Sequence, residues 1–142
     1  MNGSYFLDTN ILVYTFDQTQ LDKQGIAKNL VRDALNHRSG CISSQVIQEF
    51  VNVALRKFTT PLAIADCQNY LSHVLEPLCE VFSSTALFHR SLEIASRWQF
   101  SFYDSMIVAA ALAVESSILY SEDLQHDQKI DDMTIINPFL SL

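Results

Sequence analysis

Apolar residues along this chain follow two rhythms. Short runs at Ser4 to Leu7, Cys41-Ile42-Ser43, Cys79 to Phe82, Ser117 to Ser121 and Thr134 to Ile136 read as buried strands. Between them, apolar positions recur at helical spacing. Asp22 to Arg38 carries Ile26, Leu30, Val31, Ala34 and Leu35, and Ser39-Gly40 marks its end. Ser44 reads as the cap of a helix bearing Val46, Ile47, Phe50, Val51, Ala54, Leu55 and Phe58. Thr60-Pro61 is expected to open the next helix, with Thr60 as cap and Pro61 at the first helical position. Ser83 and Ser84 cap a segment from Thr85 to about Gln99. Asp104 to about Glu115 is apolar nearly all round, which predicts a buried central helix. Glu122 to Asp132 reads as a polar, acidic loop.

Strands alternating with helices predict an α/β fold. The expected architecture is a three-layer sandwich, with a mostly parallel, about five-stranded sheet flanked by helices. The length of 142 residues fits a single domain spanning 1–142. With 49% hydrophobic residues and only 3 Gly and 3 Pro, the chain is neither a disordered linker nor a turn-dense all-β protein. The densest apolar run, Met106 to Val114, is far short of the ~20 residues that span a membrane. Met1-Asn2-Gly3-Ser4 lacks the basic and long apolar regions of a secretory leader. Cys41, Cys67 and Cys79 are odd in number and form no C-x-x-C, so they read as reduced thiols of a cytoplasmic protein.

The formal charge is -7, from 9 Lys+Arg against 16 Asp+Glu, which excludes a broadly basic nucleic-acid coat. It leaves open a small acidic site that reaches nucleic acid through a cation. Asp22, Asp33, Asp66, Glu76, Glu80, Glu93 and Glu115 sit on predicted polar faces. Four other carboxylates do not. Asp8 directly follows the first strand, and Asp123 follows the fourth, at the edge where open α/β sheets bind ligands. Glu49 lies within Val46 to Val51, a face that otherwise looks buried, and Asp104 opens the most apolar helix. Singly, Asp8 and Asp104 could be helix caps, Glu49 could reach water from a helix edge, and Asp123 could be an ordinary loop residue.

Together they point to a cation. Two carboxylates about 6 Å apart at an effective dielectric of ~20 repel by roughly 3 kcal/mol. Several such pairs rival the ~5–15 kcal/mol that holds a domain folded. A converged cluster must therefore take up protons or an ion, and oxygen donors without His or Cys select Mg²⁺ or Mn²⁺. Such an ion activates water and neutralises charge on a phosphodiester.

The chain resembles the PIN-domain ribonucleases, especially the VapC-like toxins of bacterial toxin–antitoxin pairs. The resemblance is carried by Phe6-Leu7-Asp8-Thr9-Asn10-Ile11-Leu12-Val13-Tyr14, Ser44-Gln45-Val46-Ile47-Gln48-Glu49-Phe50 and Phe102-Tyr103-Asp104-Ser105-Met106 with the alanines after it. Leu119-Tyr120-Ser121-Glu122-Asp123-Leu124-Gln125-His126 and Ile135-Ile136-Asn137-Pro138-Phe139 complete it, so it covers almost the whole chain. It implies a parallel sheet with carboxylates gathered at one end around Mg²⁺ or Mn²⁺. By motif position Asp8, Glu49, Asp104 and Asp123 are the catalytic, metal-binding carboxylates, with Asn10 and Ser121 as polar supports. It further implies an RNA substrate, a cognate antitoxin and a homodimer. One departure is visible: Asp127 stands where relatives often have Gly, and reads as a solvated carboxylate.

Other candidates weigh less. His126 could touch phosphate but reads as a solvated loop histidine, and His37, His73 and His89 as surface residues. Trp98, Phe100, Phe102 and Tyr103 could stack bases, but core packing or a dimer contact is the simpler expectation. Arg38, Arg56, Lys57, Arg90 and Arg97 are scattered, and so few cations predict weak intrinsic RNA affinity. Asp8-Thr9-Asn10 faintly resembles the aspartyl nucleophile of haloacid-dehalogenase-type phosphatases, but Asn10 stands where those need a second Asp. A non-catalytic PIN-like scaffold binding RNA or protein is the alternative, and the four intact acidic positions disfavour it.

Overall fold

The computed structural model describes residues 4–141. The reading of Met1-Asn2-Gly3 as free of a leader falls outside that range. A six-stranded sheet runs in the order β3-β2-β1-β4-β6-β5. Its strands are β1 (Tyr5–Leu7), β2 (Gly40–Ser43), β3 (Cys79–Val81), β4 (Ile118–Tyr120), β5 (Lys129–Ile130) and β6 (Met133–Ile136). All pairings are parallel except that of β5 with β6. The parallel strands are the five expected ones. The sixth is a two-residue strand inside the acidic segment read as loop. Lys129 faces water while Ile130 is buried, and so short an element leaves no periodic signature.

The helices are α1 (Thr9–Tyr14), α2 (Leu21–His37), α3 (Ser44–Arg56), α4 (Ile64–Tyr70), α5 (Glu76–Leu78), α6 (Thr85–Trp98) and α7 (Phe102–Ala113), with a π-helical stretch at Leu71–Leu75. Three expected starts move. Ser43, not Ser44, caps α3, accepting a hydrogen bond from the Val46 N–H at 3.4 Å. Ser44 Oγ instead accepts from the Ser83 N–H at 3.0 Å, tying the β2–α3 junction to the end of β3. Thr60-Pro61 does not begin a helix. The Leu62 N–H bonds back to the Ala54 carbonyl at 3.0 Å, which holds the chain against α3 until α4 begins at Ile64. Ser101 caps α7 through the Asp104 N–H at 3.2 Å, so Asp104 lies in the first turn rather than at the cap.

The core lies on both faces of β1, whose three residues are all buried. α7 buries Ser105 through Ala111, as its all-round apolarity requires. On the other side, Phe16, Phe50, Phe58 and Tyr70 form an aromatic cluster that locks the end of α1 against α3 and α4; the Phe50 and Tyr70 rings are 5.0 Å apart. Cys41 and Cys67 are buried and Cys79 half-buried, all three as free thiols. Among the described residues no helix is long and apolar enough to cross a membrane.

Candidate active site

β1 and β4 are neighbours, and both end at the same rim. The Asp8 N–H continues their ladder by donating to the Tyr120 carbonyl at 3.0 Å, and Asp8 then caps α1 through the Thr9 N–H at 2.7 Å. The cap expected as an alternative role is therefore present, and its carboxylate still faces the rim. The three residues after Tyr120 bring the Ser121 hydroxyl to the Asp8 carboxylate and Asp123 to the same cleft. α3 leaves the end of β2 and presents Glu49 in its second turn. α7 starts at the same rim and presents Asp104 in its first. A cleft of about 320 Å³ is lined by all four carboxylates together with Thr9, Asn10, Gln45, Asn52, Val53, Lys57 and Ile107. Residues separated by up to 115 positions thus line one cleft at the strand ends.

Each carboxylate except Asp104 is held by neutral donors. Ser121 Oγ donates to Asp8 Oδ2 at 2.8 Å, and Asn10 Nδ2 donates to Asp123 Oδ2 at 2.8 Å. Thr9 Oγ1 donates to Glu49 Oε1 at 2.7 Å. Gln45 Nε2 reaches the Glu49 Oε2 at 3.4 Å and the Tyr103 carbonyl at 3.1 Å, which links α3 to the start of α7. Among the described residues none of the four carboxylates is in an ion pair. The neighbouring Glu122 differs: Lys23 and the Tyr14 hydroxyl take up its charge.

The site's electrostatics follow from this. Asp8 is 8% exposed, and burial pushes its carboxyl from 3.8 up to about 6. Ser121 and the Thr9 N–H oppose that rise, and the charges of Glu49 and Asp123 add to it. Burial also raises Asp123, helped by the charges of Glu122 and Asp104 and opposed by Asn10. Two acids held above their ordinary range by burial and by neighbouring carboxylates mark a site short of positive charge.

The donor set fits a hard divalent cation: carboxylate oxygens only, without nitrogen or sulfur, and with Asp104 and one Asp123 oxygen unengaged. Among the described residues no three acidic, His or Cys side chains are already drawn to ligating distance. Neutral donors hold three of the four, Asp8, Glu49 and Asp123, in their present positions. Gln45 keeps one buried oxygen, Oε1, without a donor. Water in the shell of a bound ion is the kind of donor it lacks.

The remaining candidates resolve differently. His126 is not simply solvated, since its Nδ1 accepts the Asn137 N–H at 3.0 Å and fastens the acidic segment to the end of β6. His37, His73 and His89 are exposed, as expected. Phe102 and Tyr103 are not core residues: they are 38% and 66% exposed, while Trp98 and Phe100 are half-buried. Of the scattered cations, Lys57 alone lines the carboxylate cleft. Asp127 has φ 67° and is exposed, a left-handed position that glycine adopts more readily than aspartate. Thr9, Gln45 and Asn52 escaped the sequence reading. Gln45 stands four residues before Glu49, and Asn52 three after it, so helical spacing alone places both on the Glu49 face.

The family profile of the PIN domain matches residues 5–130. No curated protein sequence matches the chain closely enough to count as a relative. Several solved structures share the fold, among them the following three. A toxin–antitoxin complex from Klebsiella pneumoniae aligns over 96% of this chain and 98% of its own, at 17% identity and a TM-score of 0.66. Mycobacterium tuberculosis VapC20, a toxin that cleaves the sarcin–ricin loop, aligns over 84% and 90%, at 22% identity and a TM-score of 0.59. VapBC2 of Rickettsia felis, bound to a DNA fragment of its promoter, aligns over 92% and 96%, at 20% identity and a TM-score of 0.58.

Proposed function

The chain belongs to the PIN domain family, and from that premise we propose that it is a metal-dependent ribonuclease, the toxin of a toxin–antitoxin pair. The observation that carries this reading is the cleft at the strand ends. Four carboxylates from four separate elements share it, and among the described residues none is paired with a basic side chain. Asp8, Glu49 and Asp104 hold the principal ion, Mg²⁺ or Mn²⁺, directly or through water. Asp123 completes the site or anchors a second ion. When bound, the ion supplies an activated water and neutralises charge on the phosphodiester. Ser121 and Asn10 fix the rotamers of Asp8 and Asp123, and Thr9 and Gln45 do the same for Glu49. Burial of Asp8 keeps its carboxylate poorly hydrated, which sharpens its preference for a cation.

The toxin reading draws support from the fold shared with toxin structures across nearly their whole length. It assigns the chain an RNA substrate, a cognate antitoxin, a homodimeric state and a cytoplasmic location. The test is cleavage of RNA by the purified protein with Mg²⁺ or Mn²⁺. Cleavage is expected to vanish in EDTA and in Asp8→Asn and Asp104→Asn, with the circular dichroism spectrum retained. Full activity in EDTA overturns the reading.

A further inference from the structure

The α3 face that carries Glu49 continues beyond it. Steps of four residues run Gln45, Glu49, Val53 and Lys57, and all of these line the cleft with Asn52. Lys57 makes no ion pair among the described residues, although four carboxylates line the same cleft. From Glu49 it is separated by eight residues, about 12 Å along the α3 axis. The negative end of the α3 dipole accounts for a basic residue there. It does not account for the direction, since Arg56, one residue earlier and likewise exposed, does not line the cleft.

We propose that Lys57, with the Asn52 amide between it and Glu49, forms a subsite for a backbone phosphate of an RNA strand, next to the phosphate being cut. This rests on the ribonuclease reading. A bound ion neutralises one phosphate, while the next one along the strand enters a cleft whose other charges are negative. Lys57 supplies the missing cation there. A lysine ammonium is a point charge with three donors, so it accepts a phosphate in many orientations. Asn52 adds a neutral N–H donor. Such a contact positions the strand and carries no base preference. With a formal charge of -7 the chain has few other cations to give, so one phosphate contact weighs heavily in substrate binding.

The test is steady-state cleavage of a single-stranded RNA oligonucleotide with Mg²⁺ at several NaCl concentrations, using wild type, Lys57→Met, Lys57→Arg and Lys28→Met. Lys28 lies on α2, among the residues of another groove. Lys57→Met is expected to raise KM about two- to fivefold at low salt, the scale of one exposed charge contact. The slope of log KM against log salt should fall by about 0.7, the value for one phosphate of a single strand. Lys57→Arg should keep the slope, and Lys28→Met should match wild type. Mn²⁺ affinity, read by calorimetry without RNA, should be the same in all four. Unchanged KM and slope in Lys57→Met, with wild type active, overturn the subsite and leave the ribonuclease reading standing. A wild type that cleaves no RNA removes both.

Discussion

Ser121 and Asp8 are 113 residues apart in sequence, yet the Ser121 hydroxyl donates to the Asp8 carboxylate at 2.8 Å inside the protein. The same hydroxyl accepts the Leu124 N–H at 3.3 Å, so one buried oxygen fixes both the first carboxylate and the turn that carries Asp123. Ser121→Ala removes a bond to a charged group and orphans a backbone donor. It should cost about 1–3 kcal/mol. Urea unfolding near pH 7 checks this: the midpoint should fall with an unchanged slope.

Asp8 makes the stability of the metal-free protein depend on pH. Its carboxyl rises from 3.8 to about 6 on folding, so between those values the folded state binds the extra proton. Stability therefore falls as pH climbs from about 4 to 6 and is flat above, with a total loss of about 3 kcal/mol. The upward shift of Asp123 acts in the same direction. Asp8→Asn should abolish most of the slope and stabilise the metal-free protein at pH 7. Urea titrations in EDTA across pH 4–8 measure both. Mg²⁺ should stabilise wild type more at pH 7 than at pH 5.

Much of this site was legible from sequence because each carboxylate breaks a strong local pattern. Asp8 ends a buried aromatic run, Glu49 interrupts a buried helix face, and Asp104 opens a helix with no other charge. Asp123 follows the fourth strand in the same way. What was not legible depends on tertiary contact. Ser43 and Ser44 are equally good caps by type, and only the Ser83 N–H decides between them. Thr60-Pro61 has the chemistry of a helix start, but Leu62 is taken by the Ala54 carbonyl first. Tyr103 looks like a core aromatic until α7 turns it outward. The β5 strand is two residues long and acquires its conformation from β6.

Asp127 holds a left-handed conformation, φ 67°, with its side chain exposed. Glycine adopts that region without the Cβ penalty, and aspartate tolerates it at a cost. Asp127→Gly should stabilise the protein by about 0.5–1 kcal/mol, measured by thermal unfolding. Loss of the weak contact to His126 subtracts little from an exposed pair.

Gly40 has the opposite requirement. A Cβ there would run into the Tyr5 ring and lie 2.8 Å from Ala34 Cβ. The Tyr5 ring cannot move aside freely, because its hydroxyl donates to the Leu30 carbonyl at 3.1 Å and its edge packs on Tyr120. Gly40→Ala should destabilise by about 1–3 kcal/mol, visible as a lower urea midpoint.

The most direct test is a calorimetric Mn²⁺ titration of wild type against the Asp8→Asn/Asp104→Asn double variant, both checked for native circular dichroism. Saturable binding to wild type, lost in the variant, is the predicted result. Equal binding by the two proteins, or none by wild type, contradicts a cation site built from these carboxylates.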